Sequence, residues 1–101
     1  MTVETTRPTQ EAAATVGVTA VAITDVSFGW DAGRVEAAQR AVVSASAGIR
    51  YWYGGATPTA TQGHPISADG SRMFVGNGSI KDLQFIRTGG SDAIVSITLE
   101  A

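Results

Sequence analysis

The sequence predicts an all-β protein: a single antiparallel β-sandwich, with a jelly roll as one form of it, behind an extended N-terminal arm. Three observations carry this. Short runs rich in Val, Ile, Thr and aromatic residues alternate with turns of Gly, Pro, Asn, Asp and Ser, about every 8 to 12 residues. The final run is the cleanest. Ala93, Val95, Ile97 and Leu99 point one way, and Asp92, Ser96, Thr98 and Glu100 the other, with only Ile94 out of pattern. Such alternation marks one buried and one solvated face. Finally, no helical pattern is long enough to supply the crossover that parallel strands need.

Residues 1–14 are polar and Thr-rich, are interrupted by Pro8, and show no buried face. They read as a flexible arm or ragged terminus, disordered in the isolated chain and ordered against a neighbouring subunit in an assembly; a short helix over 9–14 would lack an apolar stripe. The sandwich domain is expected to span 15–101. Residues 15–28 are β-branched, with Val16, Val18, Ala20 and Ala22 on one face and Thr19, Val21 and Ile23 on the other. Trp30-Asp31-Ala32-Gly33 signals a turn. Residues 34–40 contain good helix formers and a Glu36–Arg40 pair at i,i+4 spacing. They are too short for a helix stable on propensity alone, so a loop or single turn is expected before a strand from about Arg40 to Ser46.

After a turn at Ala47-Gly48, residues 49–53 form the most aromatic strand, with Ile49, Tyr51 and Tyr53 on one face and Arg50 and Trp52 on the other. Residues 56–65 form a loop with two prolines and no apolar anchor, and Ile66 begins a brief return. Asp69-Gly70 signals a tight turn. Strands follow over 71–75 and 83–88, separated by a turn at Gly76-Asn77-Gly78, before the closing run. In all, about seven or eight short strands are expected.

Composition narrows the functional classes. Only 16% of the 101 residues are charged and the net charge is −2, with Lys and Arg scattered singly. No basic cluster points to nucleic acid. A sparsely charged surface of Ala, Thr, Ser and Gly suits a subunit whose faces are covered by neighbours. No run approaches the roughly 20 apolar residues of a membrane span, and the N-terminus does not read as a signal peptide. Cysteine is absent and His64 is the lone histidine, which leaves out the usual zinc spacings. The acidic residues do not match a calcium loop, and the glycine pairs lack the GK[ST] ending of a phosphate loop. No cofactor is expected.

His64, Ser67 and Asp69 lie close in sequence, but triads are assembled by the fold and no G-x-S-x-G elbow is present. A surface loop histidine is the simpler reading, and no catalytic residue is assigned. Tyr51, Trp52 and Tyr53 are candidates for a ligand platform, for a sugar for example, or for an interface, since Tyr and Trp suit both. Arg7, Pro8, Trp30, Arg50 and Trp52 are the candidate interface residues.

From about Arg40 onward the chain resembles small structural proteins from the virion gene clusters of tailed bacteriophages. The likeness lies in the order of elements: the strand AVVSAS, the aromatic strand RYWYGG, and a T-P-T-A-T-x-G-H-P-[IL] loop at Thr57 to Ile66. The turn Ala68-Asp69-Gly70, the segment GNGSIKDLQFIRTGG and a D-A-x-V-x-[IV]-T strand complete it. The resemblance implies a non-enzymatic virion component, synthesised in the host cytoplasm. It favours a capsid decoration, or cement, protein bound to the outer face of the major capsid protein lattice. Such proteins are homo-oligomers, often trimers, sometimes with an N-terminal arm reaching a neighbour. The alternatives within reach are a tail, neck or fibre-attachment subunit, and a carbohydrate-binding module using Tyr51, Trp52 and Tyr53.

Overall fold

Eight strands form in the computed structural model, which describes residues 9–101. They are β1 (Thr9–Val16), β2 (Val21–Ala22), β3 (Arg40–Ala45), β4 (Ile49–Trp52), β5 (His64–Ile66), β6 (Ser71–Val75), β7 (Gln84–Arg87) and β8 (Ala93–Glu100). Two four-stranded sheets result, in the orders β1-β8-β3-β6 and β2-β7-β4-β5, and every pairing is antiparallel. First strand pairs with last, second with seventh, third with sixth, fourth with fifth. The chain is one long hairpin with its tip at β4–β5, rolled so that successive rungs fall in alternate sheets. The β3–β8 and β4–β7 ladders close the roll. This topology is the jelly roll.

The period-2 pattern explains which faces meet. Ala93, Val95, Ile97 and Leu99 of β8 are buried, as are Ala41, Val43 and Ala45 of β3 and Ala14 and Val16 of β1. The opposing sheet contributes Ile49 and Tyr51 from β4 and Phe85 from β7. Four alanines, Ala14, Ala41, Ala45 and Ala93, lie among the larger aliphatic side chains of the first sheet's inner face and leave room for the rings of the second. Phe85 is fully buried and meets Phe28 edge-on, with ring centroids 6.4 Å apart. Short helical turns close the ends of the roll: a 3-10 turn at Val26–Phe28, α1 (Arg34–Ala37) and α2 (Asn77–Ile80). Among the described residues, no helix is long and apolar enough to cross a membrane.

Several expectations are corrected. Residues 9–14, assigned to the arm, belong to β1 and pair along their length with β8, Thr9 opposite Glu100 through Ala14 opposite Val95. They lacked a visible buried face because the inward positions are alanines, with Ala14 buried and Ala12 packed on the core. Residues 1–8 lie outside the described residues. The run 15–28 is not one pattern, because the chain crosses between sheets at Gly17, whose carbonyl accepts from the Arg87 amide. Val18 is consequently exposed. The strand opening at Arg40 stands as expected, but the Arg40 side chain turns from Glu36 and forks onto Glu100, Nε to Oε2 at 2.7 Å and one Nη to Oε1 at 2.8 Å. Gly76-Asn77-Gly78 leads into α2 instead of a simple turn. The Asn77 amide donates to the carbonyls of Val35 and Ala38, tying α2 to the end of α1.

Two glycines serve close approaches. At Gly70 an added Cβ would lie 2.9 Å from the Ser67 carbonyl oxygen, beside Asp69, itself in the left-handed region at φ 60°. Gly63, at φ +132°, would bring a Cβ to 3.1 Å from the Tyr51 carbonyl oxygen.

Phe85→Ala is expected to destabilise the fold by about 3–5 kcal/mol, as large-to-small changes at filled aromatic sites do. Urea titration of the variant against the parent measures it.

Candidate functional site

Arg7 and Pro8 lie outside the described residues. Trp30 is half-buried in the loop after the 3-10 turn. Its indole N–H donates to the Ile23 carbonyl at 2.9 Å, and its ring stacks on Phe28 at 5.9 Å. It is thus pinned to the core and forms part of one wall of an open cleft of about 360 Å³ with Asp25, Asp31 and Glu36. Asp25 caps the 3-10 turn by accepting from the Ser27 amide at 2.9 Å. That hydrogen bond is the main cause that lowers its carboxyl pKa below the ordinary 3.8.

Arg50 and Trp52 share the outer face of the second sheet, both half-buried. Arg50 is spent on its own chain: Nε donates to the Ala60 carbonyl at 3.2 Å and one Nη to the Gly63 carbonyl at 2.9 Å. The loop it holds has an anchor that the sequence did not disclose, for Pro58 is fully buried. The expectation of a loop without an apolar anchor is thereby corrected, since nothing local tells which of its two prolines docks.

The aromatic strand and the lone histidine converge at the hairpin tip. β4 pairs with β5, placing Tyr51 opposite His64. The imidazole lies 5.4 Å from the Tyr51 ring, 5.2 Å edge-on from Trp52, and 5.9 Å nearly parallel from Tyr53. Tyr51 is buried and meets Phe74 of the other sheet edge-on at 5.1 Å. It belongs to the core, so any ring platform here consists of Trp52, Tyr53 and His64. No hydrogen bond joins His64 to Ser67 or Asp69 among the described residues, and Asp69 turns the chain. Among the described residues, too, no group of three or more histidine and acidic side chains is placed to hold a metal ion.

A broader surface was not singled out from sequence: the outer face of the first sheet. The registers set its side chains in rows. Thr9, Glu100, Arg40 and Val75 form one; Glu11, Thr98, Val42 and Met73 the next; Ala13, Ser96, Ser44 and Ser71 the third. The small third row leaves a shallow groove of about 360 Å³ whose lining includes Glu11, Ala13, Val42, Ser44, Ser96 and Thr98. Arg40 and Glu100 neutralise each other, and the bidentate bond raises the affinity of Arg40 for its proton. Glu11 is the remaining charge. Toward β6 the face turns apolar through Val42, Met73 and Val75, with Met73 59% and Val75 72% exposed.

Compared with known protein families, curated proteins and solved structures, the chain matches none.

Arg50→Ala should free the loop over 56–63, seen as faster amide exchange there and a stability loss of roughly 1 kcal/mol, since the bonds are partly solvated. Because the folded-state pKa of Asp25 is depressed, its contribution is complete above the unfolded value. It fades as pH falls through the lowered one. Asp25→Asn should therefore show a smaller loss of melting temperature than the parent when both are taken from pH 6 down into that range.

Proposed function

We propose that the protein is a non-enzymatic assembly subunit of a tailed-phage virion, a capsid decoration protein that binds the outer surface of the major capsid lattice. The observation that carries this reading is the outer face of the β1-β8-β3-β6 sheet. Its centre is built of small residues, its β6 side is apolar, and apart from Glu11 its charge is compensated. Such a face can be covered without stranding charges away from water. The jelly roll supports the reading as an architecture also used in capsid proteins. The order of motifs from Arg40 to Glu100 supplies the virion context. Each copy need bind only modestly, because binding to the assembled lattice stabilises it by mass action and many linked contacts add. Carbohydrate binding at Trp52, Tyr53 and His64 is the second reading, favoured by the exposed Tyr53 ring lying nearly parallel to the imidazole.

The test is a Ser96→Arg variant added to particles stripped of the protein. Ser96 is exposed at the centre of the face, so stability should stay within about 0.5 kcal/mol of the parent. Occupancy of the capsid should fall at least about tenfold, a cost of about 1.4 kcal/mol per site. Full occupancy by the variant sinks the assignment of this face. Failure of the parent itself to bind any head particle, with few copies found on tails, would instead favour the tail or neck role.

A further inference from the structure

The four sheet edges are treated differently. β2 has two residues, and β5 has three, one of them Pro65; shortness and proline both discourage pairing with another chain. β1 carries Glu11 on its length. β6 likewise carries one charge, Arg72, but it has five residues, no proline and two exposed apolar side chains, Met73 and Val75.

Its hydrogen-bonding phase is set by the ladder with β3. The Gly76 amide donates to Gln39 and the Ala45 amide to Gly70. In the β3–β6 register, Arg72 and Phe74 therefore exchange bonds with Val43 and Ala41. The amides and carbonyls of Ser71, Met73 and Val75 point away from the sheet, and among the described residues none has a backbone partner there. Buried or solvated, such groups must be satisfied; here water does it, on a strand that offers a template.

We infer that β6 is a self-pairing edge: two copies join β6 to β6, antiparallel, about a two-fold axis through Met73, to form one sheet across both. The geometry is self-complementary. With Met73 opposite its own copy, Ser71 falls opposite Val75 and Val75 opposite Ser71. Every outward backbone group of these three residues then finds a partner. On the outer face, Met73 meets Met73 and the apolar stripe from Val42 runs unbroken across the seam. On the inner side, Arg72 faces Phe74 of the other copy, a cation–ring neighbour instead of a like charge. A second copy is a better occupant than the β1 edge of the next molecule. Pairing β6 to β1 is heterologous and gives a ring or an open filament, whereas β6 to β6 is isologous and closes at two.

The area sets the strength. Five paired residues cover on the order of 400 Å² per copy, about half of what a standard stable interface buries. The dimer is therefore concentration-dependent, and it strengthens wherever copies are held side by side. The inference stands apart from the capsid reading.

The experiment combines sedimentation with amide exchange on the purified chain from about 1 µM to about 1 mM. Dimer should grow with concentration. The Met73 and Val75 amides should slow in step with it, while those of Arg72 and Phe74 stay protected throughout. Met73→Pro removes one outward donor and no β3–β6 bond, and should weaken the dimer at least about tenfold. Should that variant misfold, Met73→Lys and Met73→Glu, both at an exposed position, replace it. Each alone should stay monomeric, and an equimolar mixture should form the heterodimer. A chain that is monomeric at the highest concentration overturns the inference. So does a trimer, or Met73 and Val75 exchange rates that do not change with concentration.

Discussion

Strand β8 lies between β1 and β3, and its inward side chains form the middle of the core. Ala93, Val95, Ile97 and Leu99 are buried together, so neither neighbour can slip by one residue without turning apolar side chains to water. The last residues of the chain therefore hold the first strand and the third in register at once. Nearly every other rung of the roll is also a pairing between residues far apart in sequence. Loop-closure entropy must be met before these contacts form, which makes such folds slow to assemble. The architecture is stable only as a whole.

The same alternation leaves the outer face of that sheet free of any duty to the core. Its composition is open to selection for contact, and it carries serines, alanines and threonines around a single neutralised ion pair. Arg40 and Glu100 sit at the start of β3 and the end of β8, so their fork also fastens the register. Charge placed this way serves the ladder and leaves the surface quiet. The edges show a similar division: β2 and β5 are blunted by shortness or proline, while β1 and β6 are longer and free of proline.

The lone histidine is gathered into a group of rings at the hairpin tip, where Tyr51 and Phe74 join the two sheets. Arg50 and Pro58 secure the neighbouring loop. Trp30 is tethered through its indole nitrogen to the backbone of Ile23. These histidine, arginine and tryptophan side chains are thus largely engaged within the molecule, and what faces outward is a sheet face of small and apolar residues and the β6 edge.

Alternation was legible in the sequence, and with it the all-β class, the strands over 40–45, 49–52, 71–75 and 93–100, and the buried and solvated sides of the last. These depend on the period of two, a local property of the chain. The pairing of first strand with last was beyond it, because nothing in the alanine-rich stretch over 9–14 marks a partner more than eighty residues away. Nor could it tell that Pro58 docks, that Arg40 turns to Glu100 and away from Glu36, or that β6 ends at an edge. Those outcomes depend on which strands become neighbours, and only packing of the complete roll decides that.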